Sequence, residues 1–450
     1  MITTKNPYNQ KVVKEYSTLT SKELWKKTEA SHTAFVKWRD FTFEERARLF
    51  ISLANVLRQN KVLYARNITV EMGKPISQAI AEIEKCAWVC EYYAQNAASF
   101  LKEEPIASDA LLSYVRYDPL GVLLAVMPWN YPFWQVFRFA VPALMAGNTA
   151  VLKHAGLVMG SAFKIEEAFI EAGFPPYIFQ NLCIPASMVN EVIRHSRVKA
   201  VTLTGSKSAG AAVAAEAAKN IKKAVLELGG SNAFIVSKHA DIEKAVETAV
   251  HARFQNTGQS CIAAKRVLLQ KEIANVFITR FCEKIEALKT GDPLLESTYI
   301  GVLPTPDFAV ELGKQLSQTL EMGGKLVMGG KYSGTFFEPT VVTQVSMEMP
   351  LFKEETFGPV IGIGEFNTME EAIEISNASE FGLGVTLFTE NKDEKEKWIG
   401  AFDDGAVFIN EMVKSDPRLP FGGTKISGFG RELGYFGIRE FVNVKTVYIK

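Results

Sequence analysis

Apolar residues follow two different patterns along the chain, and the pattern changes near Gly121. Between residues 20 and 105 the apolar residues recur at helical spacing. Thr42 begins a helix-start pattern that leads into the periodic run 46–62, and a second amphipathic run extends over 75–100. This first part of the chain is therefore predicted to be helical.

After Gly121, short continuous apolar runs alternate with helical stretches. Runs of this kind are buried on both faces, which is typical of parallel strands joined by helices. We therefore predict an α/β protein with two successive layers, one on each side of about residue 229. The apolar runs are 122–127, 150–152, 200–203, 233–236, 266–269, 341–342, 360–363, 385–388 and 407–410.

Two other segments, 111–118 and 442–450, alternate between apolar and polar residues. Alternation of this kind suits a strand with two different faces, and the two segments are predicted to pair with each other. An exposed strand edge is a site at which another chain can add. We therefore expect these strands to mediate oligomerisation.

Composition describes a soluble globular protein of 450 residues, with 47% hydrophobic and 22% charged residues. Such a length is too great for one ordinary core and predicts two or three domains. Lys+Arg and Asp+Glu are equal at 50 each, and no local basic stripe is present. We therefore expect neither nucleic acid nor a membrane as partner, because no net field attracts them.

The uncharged run 119–137 is long enough to cross a bilayer, but Pro128 and Pro132 interrupt its middle. It is therefore predicted to form a strand, a turn and a helix.

Residues 1–7 lack the apolar core of a signal peptide. The five cysteines are odd in number and irregularly spaced, which argues against a disulfide framework. We expect a cytoplasmic protein. Cys86 and Cys90 share a helix face but have no histidine or second cysteine pair nearby in sequence, so we expect core packing and no metal.

The stretch 254–261 ends a helical run with a polar turn, and Cys261 closes it. Gly258 allows the backbone to bend tightly there. A thiol on such a turn can gain backbone N–H neighbours, which favour the thiolate that attacks carbonyl carbon. Cys261 is thus a candidate nucleophile, although most cysteines in such chains are small buried residues.

A phosphate-binding turn is indicated in 200–210, which reads as a strand, a glycine turn and an alanine-rich helix. Gly205 and Gly210 are five residues apart, with Ser206 between them at the helix start, where free N–H groups can hold phosphate. The spacing differs from the usual dinucleotide fingerprint, and an ordinary strand-to-helix turn is the alternative. Glu227 lies at about the distance of a ribose-binding acid.

A different function for Glu227 is a general base, because Leu226 and Leu228 flank it and apolar surroundings raise a carboxyl pKa. A third possibility is a strand-end acid that faces solvent. Asn130 lies between two prolines in 128–132. A side-chain amide fixed in this way can stabilise a developing oxyanion.

Together these motifs resemble the aldehyde dehydrogenase superfamily over about residues 46–441, nearly the whole chain. Seven motifs occur in the order of the family, so the resemblance is specific. The motifs are Pro128-Trp129-Asn130-Tyr131-Pro132, Leu144-x-x-Gly147-Asn148-Thr149-x-Val151-Leu152-Lys153, Leu203-Thr204-Gly205-Ser206, Leu226-Glu227-Leu228-Gly229-Gly230, Gly258-Gln259-Ser260-Cys261, Glu354-Glu355-Thr356-Phe357-Gly358-Pro359 and Pro420-Phe421-Gly422-Gly423-Thr424-Lys425-x-Ser427-Gly428.

The resemblance implies catalytic roles for three residues. Cys261 would attack the aldehyde to give a thiohemiacetal, and Asn130 with the Cys261 backbone N–H would hold its oxyanion. Hydride transfer to a nicotinamide would leave a thioester, and Glu227 would activate the water that hydrolyses it. His251, ten residues before the cysteine, invites a Cys–His hydrolase reading, but we expect it to be structural.

The resemblance also implies that NAD or NADP is the cofactor. Lys153 would bind the adenosine ribose, Ser206 the pyrophosphate and Glu355 the nicotinamide ribose, with Phe357 nearby. Many NAD-using members carry a glutamate three residues after the lysine, where this chain has Gly156. That acid would repel a 2′-phosphate, so its absence permits NADP without excluding NAD. The other cofactor-binding candidates are Trp129, Gly205 and Gly210.

Three segments carry a narrower resemblance: Lys153-His154-Ala155, Phe254-Gln255-Asn256-Thr257-Gly258-Gln259 and Gly428-Phe429-Gly430-Arg431-Glu432-Leu433. They look most like the succinate-semialdehyde dehydrogenase branch of the superfamily. A substrate with a distal carboxylate needs a cation, and arginine offers bidentate geometry. Arg138, eight residues after the oxyanion asparagine, matches an arginine that this branch uses for the carboxylate. Some members have a second arginine where this chain has Gln255, and Ser415 and Arg418 are candidate replacements.

The implied fold is the aldehyde dehydrogenase fold, with a Rossmann-like dinucleotide-binding domain (1–100 and 120–229), an α/β catalytic domain (230–435) and oligomerisation strands (101–119 and 436–450). The expected assembly is a homodimer or homotetramer. The expected activity is oxidation of succinate semialdehyde to succinate. A dehydrogenase for another short aliphatic or semialdehyde substrate and a non-catalytic binding descendant are the alternatives.

Overall fold

A computed structural model describes residues 1–450 of the protein. Its helices coincide closely with the segments in which apolar residues recur at helical spacing. The helix that starts at Thr42 carries a capping box, because Thr42 accepts from the Glu45 N–H at 3.2 Å and Glu45 accepts from the Thr42 N–H at 2.7 Å. The helices α1 to α15 are Ser21–Trp38, Phe43–Gln59, Lys61–Met72, Ile76–Phe100, Trp134–Met145, Met159–Glu171, Val189–Arg194, Lys207–Lys219, Ile242–Phe254, Ala274–Glu286, Pro306–Glu321, Pro350–Lys353, Met369–Asn377, Lys392–Lys397 and Gly434–Arg439.

Each of the nine predicted apolar runs overlaps a strand. Most strands outside these runs and the two alternating segments are short or lie at edges, where burial leaves no continuous apolar run. Strand β9 is the exception, since it has five residues and lies between β21 and β8. The strands β1 to β22 are Ile2–Lys5, Val12–Tyr16, Glu104–Pro105, Leu112–Pro119, Val122–Met127, Thr149–His154, Phe179–Asn181, Val198–Thr204, Lys223–Glu227, Asn232–Val236, Ala264–Gln270, Lys325–Met328, Tyr332–Ser333, Phe336–Phe337, Thr340–Thr343, Val360–Phe366, Phe381–Gly382, Val385–Phe388, Val407–Ile409, Thr424–Lys425, Gly428–Phe429 and Val442–Ile449.

Two sheets form the centres of the two α/β layers. The first sheet has the order β21-β9-β8-β5-β6-β7 and is parallel except for β21. The second sheet has the order β12-β15-β16-β11-β10-β18-β19 and is parallel except for β12. Helices α2 and α3 pack on α4, which packs on α5 beside the first sheet. Strand β21 returns the chain from the second sheet to the first.

A separate three-stranded sheet confirms the predicted pairing of the two alternating segments. Strand β22 pairs antiparallel with β4 from Val442 opposite Pro119 to Ile449 opposite Leu112. Strand β3 covers the other side of β4, so β22 has a free edge. The uncharged run 119–137 forms β5, a turn and the start of α5, as predicted. No helix combines the length and apolarity that a bilayer crossing requires.

The candidate residues lie at the ends of strands that belong to the two large sheets. In the first sheet, β5, β8 and β9 end just before Asn130, Ser206 and Leu228. In the second sheet, β11 and β16 begin shortly after Cys261 and Glu355. Carboxyl ends of parallel strands meet at one edge of a sheet, and the amino ends meet at the other. The topology thus gathers residues that are far apart in sequence.

Candidate active site

Cys261 follows a backbone segment with three consecutive left-handed residues. Asn256, Thr257 and Gly258 have φ values of 53°, 57° and 74°. A β-branched residue is rare in this conformation, so Thr257 stores strain that its surroundings must hold. Its hydroxyl accepts a hydrogen bond from the Gly301 N–H at 3.0 Å. The sequence predicted a tight turn at Gly258, and the structure extends it over the two residues before.

The thiol of Cys261 is in an environment that differs from the expectation. Burial raises the pKa of the Cys261 thiol, and the positive charges of Arg138 and Lys265 oppose this effect only in part. In the free protein, burial therefore opposes the ionisation that the turn was expected to favour.

Cys261 lines two pockets, one on each side of the thiol. The larger pocket has a volume of about 560 Å³, and its wall includes Trp129, Asn130, Lys153 and Glu355. The smaller pocket has a volume of about 220 Å³ and extends away between helices α4 and α5. The nucleophile candidate thus lies where two separate ligands could meet.

The wall of the larger pocket on the side of the first sheet suits an anion. Ser206 caps α8 by accepting from the Ala209 N–H at 3.3 Å, and it lines the pocket with Gly205. The first N–H groups of a helix are free to bind phosphate. Lys153 projects from β6 without a carboxylate partner, and burial lowers the pKa of its ammonium.

Gly210 is not part of this wall, which corrects the expectation that it contacts the cofactor. It lies inside α8 and is buried. A Cβ at this position would lie 2.6 Å from Cδ2 of Leu228. The glycine is thus required for close packing of the helix on the first sheet.

The opposite wall of the larger pocket is built around Glu355. Its Oε1 accepts from the Gly230 N–H at 3.0 Å and from Nζ of Lys265 at 2.7 Å. Lys265 is buried and also donates to the Cys261 carbonyl at 3.0 Å. Sequence reasoning missed Lys265, which couples the acid of this wall to the backbone of Cys261.

Aromatic rings complete the larger pocket. Trp129 packs edge-to-face against Phe357, with ring centroids 5.7 Å apart, and against Phe308 at 5.1 Å. All three rings line the pocket. Such rings give a planar ligand an apolar surface.

Asn130 lines the larger pocket together with Cys261, and its amide is held at both ends. Its Oδ1 accepts from Nε2 of Gln135 at 3.1 Å, and its Nδ2 donates to the Gln259 carbonyl at 3.0 Å. An amide nitrogen carries two hydrogens, so one remains available to a ligand. The loop itself is fixed by His154, whose Nε2 donates to the Pro132 carbonyl at 2.8 Å.

Glu227 is buried at the end of β9 and lies outside the walls of both pockets. Neither carboxyl oxygen has a hydrogen-bond partner, and burial followed by the charge of Glu432 raises the Glu227 pKa well above its usual range. This excludes the alternative of a solvent-facing acid. A Cβ at Gly422 would lie 2.8 Å from Oε1 of Glu227, so the glycine makes room for the carboxyl group.

Arg138 is buried and reaches the smaller pocket, but much of its guanidinium is already engaged. Its Nε pairs with Glu432, and its Nη2 donates to Thr204 Oγ1 at 3.2 Å. The ring of Phe421 stacks 4.5 Å from the guanidinium carbon. Both Nη1 hydrogens and the second Nη2 hydrogen have no protein acceptor, so this end of the guanidinium keeps donors for a carboxylate while Nε faces Glu432.

The other three substrate candidates divide between the pocket and the surface. Gln255 and Ser415 line the smaller pocket. Arg418 does not: its guanidinium pairs with Asp416 at 2.6 Å, and its side chain is 64% exposed. The expectation that Arg418 replaces the missing arginine is therefore corrected, because its local ion pair holds it outside.

His251 lines the smaller pocket without contacting the thiol, and the two helical cysteines pack in the core as expected. His251 Nδ1 lies 2.9 Å from the Tyr299 hydroxyl and has no hydrogen bond to Cys261. Cys86 and Cys90 are fully buried in the core beside α2 and α5.

Comparison with known proteins identifies the family. The sequence profile of the aldehyde dehydrogenase family matches residues 1–447. The chain is 47% identical to the probable succinate-semialdehyde dehydrogenase, NADP(+), of Synechocystis sp., covering 100% of this chain and 99% of that protein. It is 45% identical to the succinate-semialdehyde dehydrogenase, NADP(+), of Mycobacterium avium, covering 100% of this chain and 96% of that protein.

Solved structures agree with these sequence comparisons. The crystal structure of succinic semialdehyde dehydrogenase from Streptococcus pyogenes, in complex with NADP+, superposes with a TM-score of 0.97 at 36% identity, with 100% of both chains covered. The expected superfamily and fold are thereby confirmed.

Proposed function

The chain belongs to the aldehyde dehydrogenase family, and from that premise we propose that it oxidises succinate semialdehyde to succinate with NADP as cofactor. The observation that carries this proposal is the position of Cys261 between a pocket suited to a dinucleotide and a small pocket that contains cations. The names of the relatives, which specify this substrate and NADP(+), support it.

A nicotinamide dinucleotide fits the larger pocket. Its volume of about 560 Å³ lies within the usual range of roughly 300–1,000 Å³ for small-molecule sites. The start of α8 at Ser206 would hold the pyrophosphate, Lys153 the adenosine ribose, and Glu355 the nicotinamide ribose. Trp129 and Phe357 would border the nicotinamide end. When bound, the cofactor accepts the hydride that leaves the substrate carbon.

NADP is the proposed cofactor because no acid occupies the position three residues after Lys153. Gly156 stands there. A carboxylate at that point would repel a 2′-phosphate, whereas the unpaired ammonium of Lys153 attracts one.

The first chemical step is attack of the ionised Cys261 sulfur on the aldehyde carbon. The new C–S bond forms while the carbonyl electron pair becomes an oxyanion, which the free Nδ2 hydrogen of Asn130 and the Cys261 N–H would stabilise. Loss of hydride from that carbon restores the carbonyl as a thioester.

The second step is hydrolysis of the thioester. Glu227, after its side chain turns from beneath Gly422 toward Cys261, would take a proton from water, whose oxygen attacks the thioester carbon. The C–S bond then breaks and Cys261 leaves as a thiolate. A raised pKa makes the ionised Glu227 carboxylate a stronger proton acceptor.

We also propose the domain division 1–100 with 120–229, 230–435, and oligomerisation strands 101–119 with 436–450. The free edge of β22 and the exposed apolar residues Val444 and Tyr448 support association into a homodimer or homotetramer. Sedimentation of the full chain tests this assembly, and a monomer at micromolar concentration would contradict it.

Initial rates of nicotinamide reduction test the proposed activity. We expect efficient turnover of succinate semialdehyde with NADP, weaker turnover with NAD, and none in Cys261→Ala. Butanal, which has the same carbon chain without the carboxylate, is the matched control. Equal or better turnover of butanal would refute the proposed substrate, and absence of turnover with every aldehyde would refute the activity.

A further inference from the structure

The smaller pocket contains four lysine or arginine side chains, and three of them have a carboxylate partner. The exception is Lys85, which lies on α4 and has no carboxylate oxygen within salt-bridge distance. The three ion pairs are Lys74 with Glu82, Arg138 with Glu432, and Lys414 with Glu411. The pocket therefore has one cation without a counter-charge.

Lys85 is held toward the pocket by two residues on different elements. Its Nζ donates to the Ser415 hydroxyl at 3.1 Å and lies 4.2 Å above the ring of Trp134. Trp134 Nε1 donates to the same hydroxyl at 2.9 Å. All three side chains line the pocket that Cys261 closes.

The Ser415 hydroxyl is oriented by these two donors. A serine hydroxyl has two acceptor lone pairs and one hydrogen. Because Lys85 and Trp134 use both lone pairs, the hydroxyl hydrogen is left to donate to a ligand. Lys85 and Ser415 thus form a neighbouring pair of donors on the pocket wall.

A cation in such a place is costly without an anion. Burial, followed by the positive charge of Arg138, lowers the pKa of the Lys85 ammonium to about 8. A carboxylate would relieve both effects, since it replaces the lost solvent and neutralises the excess charge. At about 220 Å³ the pocket is below the usual range of drug-sized sites, so the ligand must be short.

We propose that Lys85 and Ser415 bind the distal carboxylate of the substrate, supplying the cation that Gln255 does not. This inference rests on the proposed function. It assigns specificity to a helix residue outside the sequence motifs, which acts beside the Nη1 and Nη2 hydrogens that Arg138 leaves unpaired.

Steady-state kinetics of Lys85→Met test the inference, since methionine keeps an unbranched stem over Trp134. We expect kcat/KM for succinate semialdehyde to fall roughly 10- to 150-fold, the range for one hydrogen bond to a charged group, mainly through KM. For butanal it should be unchanged or higher. Lys85→Arg should recover most of the loss, and Ser415→Ala should lose roughly two- to tenfold.

Lys414→Met is the matched control, because this lysine lines the same pocket but pairs with Glu411. We expect it to stay within about twofold of wild type for both substrates. A binding measurement adds a readout independent of turnover: succinate should protect Cys261 from iodoacetamide in wild type and much less in Lys85→Met.

Failure of the inference is distinguishable from failure of the proposed function. If wild type prefers succinate semialdehyde but Lys85→Met loses activity equally on butanal, Lys85 is structural and the inference is overturned while the function stands. Loss below threefold on succinate semialdehyde overturns it too. If wild type itself prefers butanal, both the substrate proposal and the inference fail.

Discussion

Asn130→Ala is the substitution that most clearly separates catalysis from folding in this site. The amide is fixed by Gln135 at its oxygen and by the Gln259 carbonyl at its nitrogen, which leaves one hydrogen for the oxyanion. Removal of a single oxyanion donor costs roughly 10²–10³-fold in kcat, or about 2.7–4 kcal/mol. We expect a loss of this size, with KM much less affected.

The fold should survive this change, because the Gln259 carbonyl keeps a second donor. Asn256 Nδ2 donates to that carbonyl at 3.1 Å, so alanine at position 130 leaves no acceptor unpaired there. We therefore expect Tm and the rate of Cys261 alkylation by iodoacetamide to remain close to wild type.

Gln135→Leu refines the test, since it removes the hydrogen bond that orients the amide but keeps Asn130 itself. Loss of one neutral hydrogen bond is worth about 1 kcal/mol, so we expect a decrease in kcat of roughly fivefold. Pre-steady-state reduction of NADP is the assay, because it isolates the steps before thioester hydrolysis. An Asn130→Ala enzyme within about threefold of wild type would refute the oxyanion role.

Three further predictions concern the two walls of the larger pocket and the thiol. Lys265→Met should lower the free energy of unfolding in urea by about 3 kcal/mol, because it breaks the pair between a buried lysine and the partly buried Glu355. Lys238→Met removes an exposed pair and should cost under about 1 kcal/mol, so equal losses would contradict this prediction. Lys153→Met should raise KM for NADP by roughly tenfold and by less for NAD, and an equal rise would argue against a 2′-phosphate contact. The alkylation rate of free Cys261 should rise with pH to a midpoint above the usual thiol pKa of about 8.5, since burial favours the protonated form, and a midpoint below 8 would contradict that environment.

Local sequence patterns predicted the elements that carry the site. Continuous apolar runs locate parallel strands because both faces of such strands are buried, and the run 122–127 coincides with β5. Asn130 between prolines and Cys261 after a glycine turn are also local features, and the structure places both on one pocket.

Residues that act through tertiary contacts could not be found in this way. Lys265 is only a polar residue at the start of β11 until the fold brings Glu355 and the Gly230 carbonyl to it. Lys85 belongs to an amphipathic helix, where a lysine ordinarily faces solvent. Its proposed role depends on a contact with Ser415, which lies 330 residues later in the chain.

Sequence reasoning also misjudged properties that depend on burial. The thiolate expected at Cys261 rested on backbone N–H groups, which are local, while the desolvation that raises the thiol pKa comes from the whole fold. Arg138 was expected to bind the substrate carboxylate, and sequence reasoning did not foresee that this buried cation is also paired with Glu432.

The covalent intermediate is the most direct test of the account. We would mix Glu227→Gln with succinate semialdehyde and NADP, quench with acid and map the adduct by mass spectrometry. We expect one equivalent of NADPH formed in a burst and a succinyl thioester on Cys261, because the first step is intact and hydrolysis has lost its base. A burst without an adduct, or an adduct on another residue, would contradict it.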